Sequence, residues 1–136
     1  MYWKIFILML LCHVIDDFVL QPICLSKLKQ KDWWFDNVYK DDNGNYDYKL
    51  NDKYKNDYKI ALLIHSISWS AMILLPVIFF AEISGAWIWW IFSINVIIHY
   101  IVDDLKSNEK KINLVQDQLI HLTQIILTFL IIVIIL

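Results

Sequence analysis

Histidines and aspartates recur at helical spacing in the otherwise apolar parts of this sequence. The pairs are His13 with Asp17, His99 with Asp103, and Asp117 with His121. Residues four apart lie on one face of a helix, so each pair presents an imidazole beside a carboxylate. Mixed nitrogen and oxygen ligands suit divalent zinc, manganese or iron. The spacing therefore predicts a metal site built from several helices.

Each of these pairs, and a fourth histidine, His65, falls within a long apolar stretch. The chain has 136 residues, 59% of them apolar. The stretches are residues 2–22, 60–80, 86–105 and 114–136. Each is long enough to cross about 30 Å of hydrocarbon at about 1.5 Å per residue. We therefore predict an all-α integral membrane protein of one domain, a four-transmembrane-helix antiparallel bundle. A soluble bundle is the alternative, but the last stretch, ILTFLIIVIIL, lacks the polar face that a soluble helix needs.

Lysines set the predicted orientation. The segment 23–59, called loop 1 below, holds eight of the 12 basic residues, and the loop 106–113 holds three more. The positive-inside rule places both loops in the cytoplasm, so both termini face outward. We expect an inner, cytoplasmic membrane location. The start of the chain does not resemble a signal peptide, because Asp16 and Asp17 interrupt its apolar core.

This orientation places the polar residues at one depth, in the cytoplasmic half of the membrane. In the first and third stretches, which run towards the cytoplasm, histidine precedes aspartate. In the last stretch, which runs outward, aspartate precedes histidine. The histidines therefore lie deeper in the membrane in each of these stretches. The predicted ligands are His13, Asp17, His65, His99, Asp103, Asp117 and His121. We expect Gln21, Gln118 and Lys106 to support them by hydrogen bonds. Asp16 and Asp104 lie about 100° round the helix from Asp17 and Asp103, so we expect only one acid of each pair to point inward.

Other interpretations of these histidines stay open. They include ordinary packing histidines, a metal-free network of charged histidines and aspartates, and bis-histidine haem ligation, for which carboxylates are poor neighbours. The two cysteines are isolated and match no metal-binding spacing.

Loop 1 carries a turn signal. Asn43-Gly44 lies between alternating tyrosine and valine residues, which predicts a small β-hairpin over residues 38–50. A calcium loop at DDNGNYD fails on the position of its glycine. Trp33, Trp34 and Phe35 are typical of an anchor at the membrane interface.

The motifs HVIDDFVLQ, LIHS, HYIVDDLK and DQLIH, in this order, resemble those of the DUF3307 family of small multi-pass bacterial and phage membrane proteins. The residues that carry the resemblance are His13, Asp17, Phe18, Leu20, Gln21, His65, His99, Asp103, Lys106, Asp117, Gln118 and His121. It covers most of the chain apart from loop 1. The family brings no established activity, but the resemblance favours Asp17 and Asp103 over Asp16 and Asp104 as the inward acids.

The sequence is compatible with three functions. A metal-dependent hydrolase of a phosphoester or lipid-linked substrate would use the divalent ion to activate water. Lysines at the cytoplasmic rim would hold a phosphate or lipid headgroup: Lys27, Lys29, Lys106 and Lys110. A metal-ion or proton transporter, or a non-catalytic interaction protein with a structural metal, are the alternatives. The expected partners are the lipid bilayer and another copy of the chain. A net charge of −2 argues against nucleic acid.

Overall fold

The computed structural model describes every residue except Met1, Pro22 and Asp42, and gives the backbone alone for Ile23 and Cys24. Pro22 ends the first predicted span, and Asp42 falls inside the predicted hairpin. The helices, in chain order, are α1 (Tyr2–Ile15), a π-helical turn (Asp16–Leu20), α2 (Ile23–Leu28), α3 (Lys31–Asn37), α4 (Tyr48–Tyr54), α5 (Asp57–Phe80), α6 (Gly85–Ser107) and α7 (Leu114–Ile135).

Three helices of the described chain are long and apolar enough to cross a membrane. The candidate spans are Tyr48–Phe80, which takes in α4 and α5, then Gly85–Ser107 and Leu114–Ile135. The prediction of four membrane-spanning helices is therefore wrong. The first apolar stretch forms an α-helix of only 14 residues, about 21 Å long, before it changes to the π-helical turn.

The predicted β-hairpin is also wrong, since the described residues contain no strand. The turn itself forms: Asp41 Oδ1 accepts hydrogen bonds from the backbone of Asn43 and Asn45, at 2.9 and 2.8 Å. Among the described residues, the two sides of this turn are joined by one isolated bridge, between Lys40 and Tyr46. The returning chain becomes helical because Asp47 caps α4, accepting from the Lys49 and Leu50 amides. An aspartate in a cap position outweighs the alternating pattern.

The long helices pack around an apolar core at one end and a polar layer at the other. α5 contacts both α1 and α6, and α7 contacts α6 and α1. The core consists of Ile5, Met9, Trp69, Ile73, Leu74, Val77, Ile91, Ile125 and Ile132. It lies where α1 begins, α5 ends and α7 ends. The polar layer lies at the opposite end, where Lys29, the residue after α2, reaches Asp103.

Candidate metal centre

The polar layer brings every predicted ligand into one cluster. Its histidines are His13, His65, His99 and His121, and its carboxylates are Asp16, Asp17, Asp103 and Asp117. All are buried except Asp17, whose side chain is still only 9% exposed. The local sequence positions them well. For example, α7 begins with a capping box between Asn113 and Gln116, one residue before Asp117.

Asp103 lies at the centre of the cluster. Its Oδ1 atom is 3.4 Å from His121 Nε2 and 3.8 Å from His99 Nε2. Its Oδ2 atom is 3.5 Å from His65 Nε2. On the other side, His65 Nε2 is 3.5 Å from Asp17 Oδ1. One carboxylate thus touches histidines from three different helices.

These separations suit a shared ion better than direct hydrogen bonds. Good N–H···O bonds are about 2.7–3.2 Å long. Two ligands each about 2.1 Å from a tetrahedral ion lie about 3.4 Å apart. Within the described residues, two groups have ligand atoms within 4.8 Å of one another and could hold a metal ion: Asp17–His65–His99 and His99–Asp103–His121. His99 belongs to both.

Several ligand atoms in the cluster have no hydrogen-bond partner among the described residues. Both ring nitrogens of His99 are in this state, as are Asp17 Oδ1, Asp117 Oδ1 and Nδ1 of His121. Buried polar atoms are nearly always paired, because an unpaired one keeps its full desolvation cost. Ring stacking holds His99 in place, with centroids 4.2 Å from both Trp69 and His121. Unpaired nitrogens on a fixed ring are what a metal ligand requires.

Two of the predicted ligands lie beside these groups rather than in them. His13 Nδ1 accepts a 2.9 Å hydrogen bond from Trp69 Nε1, which occupies the lone pair of that nitrogen. Asp117 Oδ2 accepts from Lys106 at 2.6 Å, while its Oδ1 faces His121 Nε2 at 3.3 Å. Asp117 therefore keeps one oxygen directed at the cluster.

Two lysines neutralise part of the negative charge. Lys29 is 5% exposed and donates to Asp103 Oδ2 at 2.6 Å, and Lys106 donates to Asp117. Four carboxylates and two ammonium groups leave an excess of two negative charges while the histidines are neutral. A buried excess of this size is costly. One divalent cation would balance it.

The two glutamines predicted to support the ligands are in contact with the cluster. Gln118 Nε2 donates to Asp17 Oδ2 at 3.3 Å and to Asp117 Oδ2 at 3.1 Å. With its amide group flipped, the Gln21 side chain accepts a hydrogen bond from Lys29 Nζ at 2.8 Å and donates one to the backbone oxygen of Asp17 at 3.3 Å.

Sequence reasoning missed Asp16 and the role of Lys29. Asp16 was predicted to point away, but it is 1% exposed, and its Oδ1 accepts from Ser68 at 2.7 Å. The π-helical turn widens the helix locally, so that Asp16 and Asp17 both face inward. Asp104 does point away, towards Asn108. The sequence indicated Lys29 only as one of the lysines at the cytoplasmic rim, and its pairing with Asp103, 74 residues away, had no local signal.

A second buried polar group continues from the cluster into the bundle. Gln124 donates to Asn95 Oδ1 at 2.8 Å, and Thr128 donates to the same atom at 3.1 Å. These bonds join α6 to α7. Beyond Thr128 the interior is apolar, with Ile132 1% exposed in the core. The polar chain thus ends inside the bundle.

Comparison with known proteins identifies no relative of this chain. No family model, no curated protein and no solved structure matches the chain. The resemblance to the DUF3307 family therefore stays a prediction.

Proposed function

We propose that this is a membrane protein whose histidine–aspartate cluster binds one or two divalent metal ions and hydrolyses a phosphoester or lipid-linked substrate. The observation that carries the proposal is the set of N···O separations of 3.3–3.8 Å among buried histidines and aspartates, together with the two unpaired ring nitrogens of His99. The donor set favours zinc, manganese or iron. A bound ion of this kind lowers the pKa of its water and polarises the substrate.

The residues divide into two roles. His99, Asp103 and His121 are all buried and would hold the first ion. Asp17 and His65 line the adjoining cavity and would hold a second ion.

With one ion bound, Asp17 is free to move protons. Its Oδ1 would take a proton from the attacking water as the new P–O bond forms. It would return that proton to the leaving oxygen as the ester bond breaks.

We favour hydrolysis over transport because the buried polar chain ends at Thr128. A conduction path would have to continue through Ile132, Ile5 and Val77, which are each 1% exposed and apolar. Ions do not cross such a layer without polar groups to replace their hydration. The proposal has two alternatives. One is a metal that only holds the helices together, and the other is a metal-free network with protonated histidines.

We also propose that the lysine-rich end of the bundle faces the cytoplasm. Every lysine except Lys4 lies in the chain segments at that end. The opposite end exposes Trp3, Trp87, Trp89 and Trp90, at 51–74%. Tryptophans collect at membrane interfaces, so these residues would mark the outer one. The end of α7 would then face outward.

The test of the metal centre is elemental analysis by ICP-MS of detergent-purified protein. We expect near-stoichiometric zinc, manganese or iron in the wild type. We expect loss of the metal in His99→Ala, because His99 belongs to both ligand groups. His13→Gln is the matched control and should keep its metal. A wild type that stays metal-free after incubation with these ions would overturn the proposal and leave the hydrogen-bonded network.

A further inference from the structure

A polar cavity adjoins the proposed metal centre at its lysine-rich end. Its volume is about 170 Å³, which is room for several water molecules. It is lined by Asp17, Phe18, Gln21, Lys29, His65, Asp103, Lys106, Leu114 and Gln118. The cavity therefore lies directly against the groups that would bind the ion, and its size suits one phosphate group with a water molecule.

The donors of this lining suit an oxyanion. Lys29 and Lys106 bring two ammonium groups, and Gln21 and Gln118 bring two amides. The Lys106 side chain is 32% exposed, so it can turn from Asp117 towards a ligand. A phosphate has acceptor oxygens for several such donors, and ammonium groups bind it as point charges. A metal ion would offset the repulsion between the phosphate and the carboxylates on the far wall.

The most exposed residues of the cavity lining are apolar. Within the lining, Phe18 and Leu114 are the exposed residues, at 63% and 57%. Phe18 belongs to the π-helical turn, and Leu114 opens α7. Leu114 belongs to a helix apolar enough to span a membrane, and the π-helical turn contacts another such helix, α5. A mouth of this kind favours a ligand whose charged group is attached to a hydrocarbon chain.

We propose that this cavity binds the phosphate of a phosphate-monoester lipid, which enters sideways from the bilayer between the π-helical turn and α7. The inference rests on the proposed metal centre and names its substrate class. The phosphate lies among Lys29, Lys106 and Gln118, and the acyl chains remain in the bilayer against Phe18 and Leu114. A cavity of this size has no room for a bulky headgroup such as choline.

The test uses the full chain in vesicles of phosphatidylcholine that contain a small share of phosphatidic acid. Native mass spectrometry measures which lipid stays bound, and ICP-MS on the same sample measures the metal. We expect selective retention of phosphatidic acid. In Lys106→Gln, which removes a charged donor, we expect retention to fall about tenfold with the metal content unchanged. Lys106→Arg should keep most of the retention, and Lys110→Gln, at an exposed ion pair on the same end, is the matched control.

A competition experiment distinguishes the two sources of phosphate. Soluble glycerol phosphate should displace the lipid only weakly, because it lacks the acyl chains. If glycerol phosphate binds with the same affinity as the lipid and displaces it at equal concentration, the lipid assignment is overturned. If the metal is present but Lys106→Gln retains phosphatidic acid like the wild type, the phosphate site is overturned while the metal centre stands. A wild type without metal overturns the proposed function itself.

Discussion

The buried ion pair between Lys29 and Asp103 gives the sharpest prediction about this fold. The two side chains are 7% and 4% exposed, and their charged atoms are 2.6 Å apart. They join loop 1 to α6 across the mouth of the cluster. Lys29→Met removes the buried cation, and Asp103→Asn removes the buried anion with little change in shape. Each single substitution leaves the other buried charge without its partner.

The expected magnitude follows from that burial. Removing one member of a buried pair costs about 3–5 kcal/mol of unfolding free energy, because an uncompensated charge stays behind. The double variant leaves neither charge, so it should lose less than the sum of the two single variants. We expect a coupling energy of about 2–3 kcal/mol in a double-mutant cycle. The pair Lys110–Asp32 is the control: its side chains are 68% and 67% exposed, and its coupling should stay below about 1 kcal/mol.

The assay is denaturation of the four proteins of each cycle in detergent, titrated with SDS and followed by tryptophan fluorescence. A chelator is present throughout, so that a bound ion does not compensate for the missing lysine. Equal coupling energies for the buried and the exposed pair would refute the reasoning. Lys29 would then be hydrated, and loop 1 would not close over the cluster.

Three further predictions concern neighbouring contacts. Trp69→Phe keeps an aromatic side chain but removes the N–H donor to His13 and part of a fully buried indole, so we expect a loss of about 2–3 kcal/mol of unfolding free energy with no change in metal content. Asn108→Ala removes the side chain that bonds to both ends of the α2–α3 junction, and limited proteolysis of that junction should become faster, whereas an unchanged rate would mean that other contacts hold it. For the orientation, single cysteines at Asn43→Cys and Glu82→Cys, in a chain without its native cysteines, should react with a membrane-impermeant reagent from opposite sides. Labelling from the same side would contradict the proposed topology.

The sequence by itself carried the periodic part of this structure. Spacing of three and four residues puts histidine and aspartate on one helical face, as with His99 and Asp103, because every regular helix repeats at the same interval. Length and apolar content likewise predicted the spans of α5, α6 and α7. The interior-facing acid of the Asp103–Asp104 pair could also be chosen, since α6 is regular there.

The irregular part was decided by the tertiary structure. The π-helical turn ended the first helix early and turned both Asp16 and Asp17 inward, which a regular 3.6-residue period does not predict. The cap at Asp47 turned the last residues of the expected hairpin, 48–50, into the start of α4, because a local hydrogen bond outweighed a weak strand pattern. Lys29 reaches Asp103 across 74 residues of chain. Local spacing holds no information about such a contact, since only the packing of loop 1 on the bundle brings the two charges together.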